Sequence, residues 1–111
     1  MEKEEVLMKA AEFLHSIESD PQPDSTLCVE LQALWWVKKG DWERAHDLAQ
    51  DAGSMEGDWI HAHLHRVEGD LGNASYWYSR AGKPVCRQEL STEWQNIMVE
   101  VLDKCVNILP L

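Results

Sequence analysis

Apolar residues recur at helical spacing in six stretches of the chain, and no stretch sustains the alternation expected of a strand. The first stretch runs from about Glu2 to Glu18, with Val6, Leu7, Ala10, Phe13, Leu14 and Ile17 along one side. Asp20-Pro21-Gln22-Pro23-Asp24 then breaks the backbone ladder, because proline has no N–H to donate. Ser25 is the expected N-cap of a second helix that ends at Lys39 and stops at Gly40. Asp41, Ser54 and Asp70 are the expected caps of the third, fourth and fifth helices, which Gly53, Gly69 and Gly82 stop. Ser91 is expected to cap the sixth, which carries Trp94, Ile97, Val101, Leu102, Cys105 and Ile108 and is closed by Pro110.

The middle of the chain repeats itself. Gly40-Asp41 recurs as Gly69-Asp70, 29 residues on, and the same shift places Ala33 on Ala62, Ala45 on Ala74, Ala49 on Tyr78 and Ala52 on Ala81. Each copy reads as helix, Gly-Asp corner, helix. The glycine takes the left-handed backbone position at the corner. The aspartate accepts from free amides of the next helix. The alanines let the two helices approach closely.

This pattern resembles the tetratricopeptide repeat over about residues 27 to 82, although that family repeats every 34 residues. The shortfall of about five falls between Ala52 and Asp58. The resemblance implies an all-α fold, a six-helix right-handed array of antiparallel hairpins in a single domain over 1–111. Residues 27–53 and 54–82 form the hairpins, and 1–18 and 91–109 flank them and cover the faces that two hairpins cannot bury alone. A narrower resemblance runs from His61 to Gly82, whose pattern HAxLHRxEGDxxNAxYWYxRAG looks like that of a small, uncharacterised, mainly bacterial family. It supports the fold and implies no activity.

Charge removes several functions. Lys and Arg total 10 against 20 Asp and Glu, a formal charge of −10. That field repels nucleic-acid phosphates, and no basic stripe offsets it. Anionic membranes are disfavoured for the same reason, and no apolar run approaches the roughly 20 residues of a membrane span. Cys28, Cys86 and Cys105 are odd in number and lack CxxC spacing, so free thiols in a reducing, cytoplasmic setting are expected, mostly as small core residues. No phosphate-binding glycine loop or GxSxG nucleophile turn is present.

Three groups of residues remain as candidate chemistry. His61 and His65 are four apart on one helix face, and Glu68 continues it, a set able to hold zinc or another divalent transition metal. Ala62 stands where a HExxH site has its glutamate, and hydrogen-bonded core histidines are the competing explanation. Tyr76, Trp77 and Tyr78 point in three directions, and Tyr78 and Arg80 are expected to line a cleft for a small anion with His61, His65 and Arg66. The competing explanation is an Arg–Glu and Tyr–His network between helices four and five.

The third group follows from the tetratricopeptide resemblance, which implies a peptide groove along Glu30, Leu34, Val37, Lys38, Trp59, His63, Arg66 and Val67. A flanking helix laid over that groove would make the same positions core. Trp35 and Trp36 also point to different sides, one toward the core and one toward a neighbouring helix or a homodimer contact. Two functions fit these residues. The first is a non-enzymatic module that binds a protein or peptide, or a second copy of itself, through Trp59, His63 and Arg66. The second is a metal- or anion-binding protein built on His61, His65 and Glu68, with hydrolysis as an extension.

Overall fold

The two Gly-Asp corners adopt nearly the same backbone geometry. Asp41 sits at φ −94°, ψ 84° and Asp70 at φ −92°, ψ 81°. Gly40 and Gly69 precede them in the left-handed region, at φ 89° and 86°, where a side chain would be strained. Asp41 accepts from the Arg44 amide and Asp70 from the Asn73 amide, so each aspartate starts the next helix. The Asp41 and Asp70 amides turn back to the carbonyls of Trp36 and His65, which ends the helix before.

The structure, a computed structural model, describes residues 3–108, with side chains for residues 4–105. The roles read for Glu2, the Ile108 side chain and Pro110 lie outside these. The described residues form six helices and no strand: α1 (Lys3–Ser19), α2 (Val29–Lys39), α3 (Trp42–Ala52), α4 (Met55–Glu68), α5 (Leu71–Ala81) and α6 (Leu90–Ile108). The fold is therefore all-α, with neighbouring helices packed in pairs. No helix among the described residues is long and apolar enough to cross a membrane.

One boundary differs from expectation. The N-cap of α2 is Cys28 rather than Ser25. Asp24 accepts from both the amide and the hydroxyl of Thr26, and the Leu27 amide returns to the Asp24 carbonyl. This local turn holds residues 24–27 out of the helix.

α4 is the centre of the molecule. It touches α2, α3, α5 and α6, and every residue from Trp59 to His65 is buried. Ala33 and Ala62 are fully buried at matching places in α2 and α4, and Ala45 and Ala74 likewise in α3 and α5. α6 lies across α2 and α4, where the Trp94 indole donates to the Leu34 carbonyl at 3.0 Å. α1 closes the other side of α6, with Phe13 stacked on Trp94 and the Trp35 indole donating to Ser16. Trp35, Trp94 and Tyr78 are the largest fully buried side chains. Each contributes about 4–6 kcal/mol of gross transfer free energy.

The short connection between the hairpins depends on Gly57. Only Gly53 and Ser54 separate α3 from α4, so the first turn of α4 presses on the last turn of α3. A Cβ at Gly57 would lie 2.8 Å from the Ala52 Cβ and 2.9 Å from the Ala49 carbonyl oxygen. Gly72 has open space around it and no positive φ. Gly57→Ala is therefore expected to destabilise the fold by about 1–3 kcal/mol through overpacking. Gly72→Ala is expected to stabilise it by roughly 0.5–1 kcal/mol through helix propensity. Urea unfolding midpoints of the two variants check both signs.

Candidate functional site

Histidines four apart on α4 face the same way, and here they face α3 and α5. His61 is 3% exposed and His65 6% exposed. His46 of α3 meets them, and one ligand atom from each of the three imidazoles lies within 4.8 Å of the other two. Tryptophans brace the rings from both hairpins. Trp77 of α5 stacks on His61 at 3.8 Å and 12° between planes. Trp42 of α3 stacks on His46 at 4.7 Å and 13°, and its indole N–H is fixed by the Leu64 carbonyl at 2.8 Å.

Hydrogen bonding sets the chemistry of each ring. His65 donates from Nδ1 to Glu68 Oε2 at 2.7 Å, which fixes the orientation of its ring. His61 differs: its Nδ1 is buried and has no hydrogen-bond partner among the described residues. A buried polar atom left unpaired costs about 1–3 kcal/mol, so such atoms are uncommon in folded proteins. Burial first, and then the neighbouring His46 and His65, push the His61 pKa down to about 4. Its ring is therefore neutral at physiological pH, the form that ligates metals. Three imidazole donors with one further position left open are the donor set of zinc and its neighbours. A tetrahedral ion holds its nitrogens roughly 3.4 Å apart, so ligand atoms that all lie within 4.8 Å of one another need only a small closure.

Glu68 lies beside His65, as its spacing implies, and accepts from the ring, while the third imidazole packed against the pair is that of His46. Trp42 and His46, four apart and one position off the alanine face of α3, are the sequence signal for that third ring. A second grouping of His65, Glu68 and Asp70 is also close enough to be considered, but both of its carboxylates are exposed.

His63 faces the other way. It donates from Nδ1 to Glu93 Oε1 at 2.7 Å, and both side chains are about 2% exposed. Arg66 donates to the same oxygen at 2.7 Å and to the Gln88 carbonyl at 2.7 Å. The Tyr78 hydroxyl donates to Glu93 Oε2. Burial alone would raise the Glu93 carboxyl, but His63, Tyr78 and Arg66 outweigh it and hold the group below the usual carboxylate range. Burial and the Glu93 carboxylate push the Tyr78 hydroxyl up, so it stays a donor. This network joins α4, α5 and α6 with its acceptors filled. Glu93 has no counterpart in the hairpin repeat, and no local pattern marks it.

These contacts place the expected residues in two separate groups. The single cleft expected of His61, His65, Arg66, Tyr78 and Arg80 does not form, because α4 stands between the histidine pair and the Glu93 network. Arg80 lies on the surface over Tyr76 and Trp77 and beside Asp58. The groove positions Leu34, Trp59 and His63 are buried, and α6 supplies the covering residues Trp94 and Glu93. Lys38 and Val67 remain exposed at the groove edge. Trp59 closes one wall of a cleft of about 360 Å³ with Lys83, Cys86, Arg87 and Glu93. The Lys83 ammonium already sits 4.1 Å over the Trp59 ring.

The His61 shift has a pH signature. Its folded pKa of about 4 lies below the ordinary histidine value of 6.5, so the unfolded chain takes up the proton first. Stability is full above pH 6.5 and falls as pH drops from there toward 4, by roughly 3 kcal/mol from this group. With a chelator present, urea midpoints of the protein and of His61→Phe are expected to diverge across that window. A difference that does not change with pH contradicts the assignment.

Compared with protein-family models, curated proteins and solved structures, the chain has no match, and its site is defined by its own geometry.

Proposed function

We propose that this protein binds a divalent transition-metal ion of the zinc class through His46, His61 and His65. The observation that carries this reading is the buried Nδ1 of His61, without a partner among the described residues, on a ring packed against those of His46 and His65. A metal-ligating histidine usually donates its other N–H to a carboxylate, and the His65–Glu68 pair has that form. The stacked Trp42 and Trp77 hold the rings of two hairpins against one another, so the ion would sit between α3, α4 and α5. Three protein donors leave a fourth position for water or a ligand atom, an arrangement shared by binding sites and hydrolytic ones.

The matching Gly-Asp corners support a tetratricopeptide-like scaffold for this site. Peptide binding through Trp59, His63 and Arg66 is favoured less, since Lys83 sits over the Trp59 ring and Glu93 of α6 engages both His63 and Arg66. The small-anion variant is weakened for the same reason, because the Arg66 guanidinium is already shared between Glu93 and Gln88.

Calorimetric titration of chelator-treated protein with zinc or nickel is expected to give one ion per chain and a raised Tm. His46→Ala and His61→Ala should each abolish saturable binding, and Glu68→Gln should weaken it about tenfold or more. His15→Ala, on the exposed side of α1, should change nothing. Binding that survives the loss of both His46 and His61, or no binding by the folded protein, defeats the proposal.

A further inference from the structure

Cys28 and Cys105 are 77 positions apart in sequence, yet their sulfurs lie 2.8 Å from one another. A formed disulfide has an S–S distance of about 2.03–2.05 Å. Cys28 is the N-cap of α2 and Cys105 lies near the end of α6. Both side chains are half-buried, which leaves a small oxidant a route to them. The third cysteine, Cys86, is half-buried beside Gln88 in the connection between α5 and α6, and serves as an internal comparison.

We infer that Cys28 and Cys105 form a reversible intramolecular disulfide when the protein meets a hydroperoxide. The two sulfurs have unequal roles. The hydrogen bond from Cys105 lowers the Cys28 pKa, against the opposing effects of burial and of Glu30. The same hydrogen bond, with burial, pushes the Cys105 thiol up. Cys28 is therefore the sulfur that reacts first, since the thiolate is the nucleophile.

For hydrogen peroxide the steps balance. The Cys28 thiolate attacks one peroxide oxygen, the O–O bond breaks, and hydroxide leaves to be protonated to water. The Cys28 sulfenic acid that results is attacked by the Cys105 sulfur. The S–O bond breaks, the S–S bond forms, and the Cys105 proton leaves with the departing hydroxide as a second water. The two thiols lose two electrons and the peroxide gains them. A thiol reductant reverses the change by exchange.

The bond would fasten α6 to the start of α2. α6 supplies Trp94 and Glu93, so the clamp would secure the helix that seals the α2–α4 face. Closing so long a loop constrains the unfolded chain strongly. This inference uses no residue of the histidine cluster and stands apart from metal binding.

The test is peroxide treatment of the native, chelator-treated full chain, followed by intact-mass and non-reducing peptide mapping. The expected result is the loss of two hydrogens and one linked peptide pair containing Cys28 and Cys105. Tm should rise on the order of 10 °C and return on adding a reductant. Cys86→Ser should behave like the unaltered protein, and Cys28→Ser and Cys105→Ser should lose the shift. Mapping of the unaltered chain decides the matter even if those last two variants fold poorly. A link to Cys86, disulfide-joined dimers, or over-oxidised Cys28 beside a free Cys105 thiol overturns the inference.

Discussion

A helix covered on four sides has to find a partner for each polar group it carries. α4 is such a helix, and it carries three histidines in seven residues. Their spacing sends His61 and His65 one way and His63 the other. On the second side the account closes: His63 meets Glu93, and Arg66 and Tyr78 fill the remaining acceptor positions. On the first side the buried His61 Nδ1 has no partner among the described residues. That asymmetry organises the molecule. The filled network ties α6 into the fold, while the open cluster packs three imidazoles between two hairpins.

The two sides differ in kind because their chemistry differs. A buried carboxylate with a guanidinium, an imidazole and a phenol has charge compensation and geometric partners, and breaking it would leave a buried charge exposed to its own desolvation cost. The imidazole cluster has an acid only at its edge, where Glu68 accepts from His65, and none against His61. Burial first, and then His46 and His65, favour the neutral form of His61, as its lowered pKa records. Imidazole nitrogens are good donors to a soft-to-borderline cation. The aromatic bracing by Trp42 and Trp77 restricts the rings, so little rotamer freedom remains to be lost on closing around an ion.

Much of the fold was legible from local rules. The corners at Gly40-Asp41 and Gly69-Asp70 announce themselves because only glycine suits the left-handed position and aspartate suits the cap. Alanine spacing marked the close helix faces, and four-residue spacing paired His61 with His65. What escaped depended on contacts between elements far apart. His46 joins the cluster only once α3 folds back on α4. Glu93 arrives on α6, outside the repeat, and Cys105 meets Cys28 across most of the chain. Three-residue spacing puts Glu68 beside His65, where it accepts from the ring. The Cys28 boundary was missed because Asp24 and Thr26 compete locally with the helix.

The central claim is that the open side of α4 is a metal site and the filled side is not. The most direct measurement is the two-bond proton–nitrogen correlation spectrum of the histidine rings, recorded with and without one equivalent of zinc. The account predicts that nitrogen resonances of His46, His61 and His65 move together to values of metal-bound imidazole, while those of His63 and His15 stay in place. Unmoved resonances at His61, or a shift confined to His63, would contradict it.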